Sequence, residues 1–410
     1  MRLLPALLLL AVMVPSPRPA MAGAARQQDA PAGGSIYDLP IGDPDRRDRT
    51  VRLVLDAPVD TADGSTIDPD GLAARLDDAR LLLLGESHTS LEAHHVQLQV
   101  LQALQRRGRA LAIGLEMFPV SVQPVLDDWV AGRLTDAEFL ERSNWYEHWG
   151  YDWRYYRDLF AFAREHRIPL HGINIPRSIV TAVRRGGLDA LAAEQAKHLP
   201  PRIDVDSPEL REYLGAALGG GSAHGRLDEQ TWTGLLAAQA TWDASMAWNM
   251  LRALEAKPAG TLGVILAGAG HAAYGVGIER QARNWIDEPI ASVIPVPVAD
   301  DDGPRESVRA SYARFVWGVP YERWSTFPSL GVSTSNADGG CLVIVVDDDS
   351  PAAAAGLKAG DVIVSVDGQP TPGRDALARA MASRLWGEVV TVEIRRDGAT
   401  RAIQVPLRRR

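Results

Sequence analysis

The run Leu81-Leu82-Leu83-Leu84-Gly85-Glu86-Ser87-His88 constrains this chain more than any other feature. Four apolar residues predict a buried strand, a glycine turns the chain, and a carboxylate and an imidazole follow where the strand ends. The pattern recurs where Ile265-Leu266-Ala267 runs into Gly268-Ala269-Gly270-His271, and a third run, Leu111-Ala112-Ile113-Gly114-Leu115, ends at Glu116. Ligands of open α/β sheets bind beyond the carboxyl ends of the strands. Three such ends carrying acids or imidazoles predict one polar site assembled from distant sequence.

The rest of the chain fits an α/β protein with an appended β-rich unit. Its 410 residues, 46% hydrophobic and 23% charged, fit two or three folded units. A net charge of −9 argues against a nucleic-acid surface, which needs clustered excess Lys and Arg. Residues 1–22 read as a secretory signal, with Arg2, a short apolar run from Leu3 to Val14, and the small-x-small site Ala20-Met21-Ala22. The expectation is an exported, periplasmic or secreted protein cleaved after Ala22. No cysteine lies there to carry a lipid, so a lipoprotein is not expected. Cys341 is the only cysteine, which excludes an intrachain disulfide and a thiolate zinc cluster.

Residues 23–49 read as a flexible lead-in. From 50 to 298, strands and helices alternate, which predicts a mainly parallel sheet covered by helices. Thr89 with Glu92, and Thr135 with Glu138, have capping-box spacing. Helices are expected over 153–166 and 227–256, and strands over 168–173, 262–266 and 290–298. The 199–226 stretch reads as a surface loop around a short possible helix. Asp300-Asp301-Asp302-Gly303-Pro304 marks a boundary, with 299–327 as a linker. Residues 328–410 have short β-rich runs at 342–346, 362–366 and 389–394, and a helix over 377–384.

Several separated motifs carry a resemblance. They are Gly85-Glu86-Ser87-His88, His94-His95, Gly114-Leu115-Glu116-Met117-Phe118, Asn174-Ile175-Pro176-Arg177, Gln239 through Asp243 to Met246-Ala247, and Gly268-Ala269-Gly270-His271 with Tyr274. In this order they resemble the ChaN-like haem-binding family, within the wider Tiki/erythromycin-esterase-like superfamily. The resemblance implies haem held at a homodimer interface by a tyrosine, with His and basic side chains on the propionates. Tyr274 is then the candidate iron ligand, with His271, His88 and Arg177 as further haem-binding residues. In Tiki-type members, paired Gly-x-x-His signatures accompany metal-dependent peptide hydrolysis. On that alternative His88, Glu116 and His271 hold a divalent metal ion, and Glu86, His88, Glu116 and His271 are the catalytic set. A third reading is a scaffold that has lost its chemistry. The dense aromatic segment Trp145, Tyr146, Trp149, Tyr151, Trp153, Tyr155 and Tyr156 either walls a flat ligand or packs the core. Gly268 to Ala273 also matches a loose dinucleotide pattern, but it sits late in the domain and the next strand ends near Asp300, beyond the expected acidic spacing of about 20 residues.

The C-terminal part resembles a PDZ domain of the bacterial protease-associated type. The carrying residues are Ser329-Leu330-Gly331-Val332, Ala355-Gly356-Leu357-Lys358-Ala359-Gly360-Asp361-Val362-Ile363 and Val366-Asp367-Gly368. Such a domain adds a peptide strand to a sheet edge and receives the terminal carboxylate on a loop, here Leu330, Gly331 and Val332. Gly-x-Ser-x-Gly is absent and no Ser/His/Asp set assembles, so this part reads as a recognition module. The leading expectation is an exported haem- or iron-handling protein that also recognises a peptide or protein C-terminus.

Overall fold

The computed structural model describes residues 35–218, 227–301 and 303–409. The expected signal segment lies outside them. A seven-stranded sheet organises the first unit. Its strands are β1 (Pro58–Asp60), β2 (Leu81–Glu86), β3 (Leu111–Pro119), β4 (Leu170–Asn174), β5 (Leu262–Gly268), β6 (Ile290–Pro297) and β7 (Phe315–Val319). Their spatial order is β1-β7-β6-β2-β5-β3-β4. All neighbours are parallel except the edge pair β1 and β7. β5 thus inserts between β2 and β3, and the three strand ends picked out in the sequence become neighbours.

The unbroken apolar runs follow from burial on both faces of the sheet. Strand side chains alternate sides. Leu82 and Leu84 join one core with Trp129, Trp145, Tyr156 and Phe160, while Leu81 and Leu83 join the other with Ile265, Met246 and Met250. Pro169 precedes β4, which is an edge strand, consistent with a residue that cannot donate to a ladder.

The helices that matter to the site are α1 (Leu91–Arg106), α2 (Arg157–Glu165), α3 (Arg177–Gly186), α4 (Pro208–Ala217) and α5 (Glu229–Glu255). The cap of α1 is Ser90, not Thr89; its hydroxyl accepts from the Ala93 N–H at 3.2 Å. The expected box at Thr135 and Glu138 forms reciprocally. The 153–166 helix is broken into a single turn, Trp153–Tyr155, before α2.

Two expectations of loose chain need correction. Leu39 and Ile41 in the supposed lead-in are buried, and Thr50–Arg52 pairs with Ser307–Arg309. The supposed linker 299–327 supplies β7, whose five residues are all buried. Phe315, Val316 and Trp317 complete the sheet after a polar break that resembles a boundary.

The C-terminal unit is a six-stranded sheet led by β8 (Val332–Ala337), which lies at one edge. Helix α6 (Arg374–Met381) packs on it. Gly331, just before β8, has φ +71°, and a Cβ there would collide with Ser350. Only glycine fits this loop without moving its neighbour.

Candidate active cleft

β2 delivers Glu86 to a fully enclosed position, where every oxygen is engaged. Its Oε1 accepts from Tyr156 Oη at 2.7 Å and from His88 Nδ1 at 2.9 Å; its Oε2 accepts from Gln97 Nε2 at 2.9 Å. His94 Nδ1 lies 3.5 Å from Oε2 and 3.1 Å from Gln97 Oε1. Burial opposes ionisation, yet His94, His88 and Tyr156 together hold the carboxyl below its usual range. Of the adjacent histidines only His94 faces inward; His95 is exposed, 3.8 Å from Glu92. The Glu86 bond fixes the tautomer of His88, so in the neutral ring Nε2 carries the lone pair. That nitrogen makes no hydrogen bond among the described residues, and the side chain is 18% exposed.

The ends of β3 and β5 build the opposite wall. Glu116 Oε2 accepts the Gly268 N–H at 2.7 Å, and its Oε1 lies 3.3 Å from His271 Nε2. On the other side of the ring, His271 Nδ1 meets Asp243 Oδ1 at 2.5 Å. Gln239, one turn before Asp243 on α5, places its Nε2 2.9 Å from His271 Nδ1 and 3.4 Å from both Asp243 oxygens. Burial disfavours charge on His271, but the carboxylates of Glu116 and Asp243 outweigh it and raise its pKa to about 10. Burial likewise disfavours the Glu116 carboxylate, but His271, then His88 and the Gly268 N–H, lower it to about 2. The ring thus sits between two acids, Asp243 at Nδ1 and Glu116 at Nε2, which favour its charged form.

The two walls converge over Gly268. A Cβ at this position would lie 3.0 Å from His88 Cε1 and 3.8 Å from Glu116 Oε2. His88, Glu116 and His271 therefore share one cleft at the carboxyl end of the sheet. Trp149 stands edge-on to the His88 ring, 4.7 Å between centroids, and Tyr151 lies at 4.9 Å. The other belt residues, Trp145, Tyr146, Trp153, Tyr155 and Tyr156, pack the core. Arg177 opens α3 beyond β4, and its guanidinium makes no ion pair or hydrogen bond among the described residues. Burial, then the charge of Arg374, lowers its pKa from the ordinary arginine value. Gly268→Val should push the His88 ring off this wall. The expected cost is about 1–3 kcal/mol of stability, read by denaturant melts, with loss of any ligand contact at Nε2.

Comparison with known proteins identifies the unit that carries this cleft. Residues 72–281, just over half the chain, match the family described as haem-binding uptake, Tiki superfamily, ChaN. The chain belongs to the ChaN-like haem-binding family. Residues 328–407 match the PDZ domain family. A solved structure titled cofacial heme binding to ChaN of Campylobacter jejuni is similar at 19% identity, covering 63% of this chain and 95% of that one, with a TM-score of 0.49. A probable periplasmic serine endoprotease DegP-like of Halomonas elongata is 33% identical over 118 residues, 28% of this chain and 24% of that protein. A second of that description, from Pseudomonas fluorescens, is 36% identical over 66 residues, 14% of its length. The chain thus spans a quarter or less of these two relatives.

Within the ChaN-like unit, the four residues expected to meet haem differ in their surroundings. His88 offers a carboxylate-oriented imidazole whose Nε2 makes no hydrogen bond among the described residues, and Arg177 a guanidinium with no ion pair among them. His271 is enclosed, with Asp243 and Gln239 at Nδ1 and Glu116 at Nε2. Tyr274 is not brought to the cleft. It has φ 58° at the turn after His271, and its ring enters the core on the α5 side, beside Tyr213 and Tyr312. Its hydroxyl accepts from the Leu39 N–H at 3.0 Å and donates to the Ile36 carbonyl at 2.9 Å. Burial raises its pKa far above the usual phenol value.

The divalent-metal alternative finds no geometric support. Among the described residues no group of three His, Cys, Asp or Glu side chains is arranged to hold a metal ion. Asp243 and Tyr156 were not singled out as site residues in the sequence. The signal for Asp243 is an acid four residues after Gln239 on an otherwise Ala-rich buried helix face, and Tyr156 sits unmarked within the aromatic segment.

Proposed function

We propose that this protein is an exported haem-handling protein, that its cleft takes haem on His88 and Arg177, and that its PDZ domain receives a peptide or protein C-terminus. The single observation that carries the haem reading is the His88 imidazole, held by Glu86 through Nδ1, flanked by the flat rings of Trp149 and Tyr151, with Nε2 free. Glu86 orients the ring and raises the basicity of the free nitrogen. Arg177 pairs with a carboxylate, and the aromatic rings exclude water from one side. Haem, when bound, supplies an iron centre whose behaviour its axial ligand tunes. Membership in a haem-binding family supports this reading.

Export is supported by the signal-like pattern of residues 1–22 and by the likeness of the PDZ domain to that of periplasmic proteases. The exposed edge of β8 and the Leu330-Gly331-Val332 loop support peptide capture. Titration of the mature chain with ferric haem tests the first part. A saturable Soret change is expected, and light scattering of the same samples distinguishes a monomer from the homodimer implied by the family. A linear, non-saturating response defeats the haem reading.

A metal-free hydrolase is the second reading, favoured by one observation. Glu86 and His88 have the geometry of an oriented general base, and the His271 ring, whose charged form Glu116 and Asp243 favour, stands across Gly268. Turnover of ester or peptide substrates that survives chelation and is lost in His88→Ala would support it.

A further inference from the structure

A peptide strand added to the edge of β8 runs beside helix α6, so β8 with its loop and α6 are the two walls of the PDZ groove. Both walls are anchored on one segment of the ChaN-like domain. Three residues before the Leu330-Gly331-Val332 loop, the Phe327 N–H donates to Tyr155 Oη at 3.1 Å, and the Phe327 ring packs edge-on against Tyr155, 4.7 Å between centroids. On α6, Ala378 and Ala382 pack against the core that contains Tyr146 and Trp149, and the Arg379 guanidinium lies 5.5 Å from the Tyr146 ring. Gly373 gives α6 no side-chain cap. Instead Asn336 Oδ1 of β8 accepts the Arg374 N–H at 2.9 Å, which ties the two walls to each other.

Arg154 touches both walls at once. Its guanidinium stacks 3.8 Å over Phe327, and its Nη2 donates to the Arg384 carbonyl, just beyond α6, at 2.9 Å. Asp152 fixes it, accepting from Nε at 2.9 Å and from Nη2 at 2.7 Å. A second link between the walls is Trp386 Nε1, which donates to the Ser325 carbonyl at 2.9 Å.

The same segment walls the cleft. Trp149 and Tyr151 flank His88, and the Tyr155 ring lies 6.0 Å from that of His94, which reaches Glu86 at 3.5 Å. Trp149 also meets Tyr156, the donor to Glu86, edge-on at 6.1 Å. Residues 145–156 are thus one packed layer, with the PDZ groove on one side and the Glu86–His88 pair on the other. Close-packed layers transmit displacement because they yield little.

We propose that a C-terminus captured in the PDZ groove tightens the 145–156 wall of the cleft, and that Arg154 carries the coupling. This rests on the peptide reading above and is independent of the haem reading. A strand paired to β8 beside α6 fixes the spacing of the two walls. Arg154 and Tyr155 hold those walls, so freedom lost in the groove is freedom lost in the segment. The coupling is reciprocal: a ligand that immobilises Trp149 and Tyr151 favours the peptide by the same factor. The PDZ domain then reports a bound C-terminus to the cleft.

The test uses the full chain and a random pool of heptapeptides with free C-terminal carboxylates. The tightest binder is selected, and its C-terminal amide is the control. Hydrogen exchange of the 145–156 backbone should slow by about fivefold or more at saturation with the acid, the lower end of usual coupling between sites, and stay unchanged with the amide. Arg154→Ala should bind the peptide about tenfold more weakly, as one charge-assisted bond is lost, and its 145–156 segment should gain no protection at saturation. Trp386→Phe removes a single N–H and keeps the ring, so it serves even where Arg154→Ala melts too low to assay; it should shift both readouts the same way by less. A pool with no amide-sensitive binder sinks the peptide reading and the coupling with it. A peptide that binds wild type without slowing exchange over 145–156, or that binds both variants as tightly as wild type, leaves peptide capture standing and overturns the coupling.

Discussion

His271→Leu should destabilise the ChaN-like domain by about 3–5 kcal/mol, the usual cost of removing one partner from a buried charge cluster. The change leaves the Glu116 and Asp243 carboxylates enclosed with no cation between them. A drop in Tm of roughly 10 °C follows for a domain of this size. Adding Glu116→Gln and Asp243→Asn to the same chain should recover most of the loss, since no buried charge then lacks a partner. A single variant within about 1 kcal/mol of wild type would show that the cluster is not ionised as described. The pH dependence has a definite sign. His271 is raised from 6.5 to about 10, so its contribution is whole below 6.5 and is lost as pH rises through about 10. Glu116 is lowered from 4.5 to about 2, so its contribution is whole above 4.5 and is lost as pH falls through about 2. Asp243, raised by burial, works against the cluster above the ordinary aspartate range. Melts across pH should therefore show the cluster's stabilisation greatest between about 4.5 and 6.5 and falling toward alkaline pH.

The second large effect is on ligand affinity. His88→Ala should weaken ferric haem by at least about a hundredfold, because it removes the free imidazole of the cleft. Glu86→Gln should weaken it about 10–100-fold with the imidazole still present, as loss of an outer-shell partner does at metal-bound histidines. Glu86 is fully enclosed by Tyr156, Gln97 and His88, so the Gln variant keeps its volume and some hydrogen bonds. Equal affinity in wild type and His88→Ala would remove His88 from the account.

What could be read from residues alone was the set of strand ends. A run of leucines closed by Gly-Glu-x-His is a local signal, and neighbouring parallel strands necessarily bring their carboxyl ends to one side. The insertion of β5 between β2 and β3, which makes those ends adjacent, is a long-range choice that no local pattern records. Asp243 escaped for a related reason. It lies on α5, and only packing against β5 and the short turn that follows aims it at His271. Tyr274 looked well placed because it is three residues from His271. A positive φ at a tyrosine is not foreseeable from composition, and it sends the ring into the opposite core. Strand β7 was hidden by the acidic break before it, since polar turns punctuate a domain as readily as they separate two. The PDZ domain was legible from its glycines. Its docking through α6 was not, because Ala378 and Ala382 are small residues of a kind found on many helix surfaces.

The axial ligand of the ferric haem complex tests the central claim most directly. Electron paramagnetic resonance on wild type, His88→Ala and Tyr274→Phe reads it. The account predicts an imidazole-ligated spectrum in wild type and in Tyr274→Phe, lost only in His88→Ala. A tyrosinate-ligated spectrum that survives His88→Ala and disappears in Tyr274→Phe would contradict it.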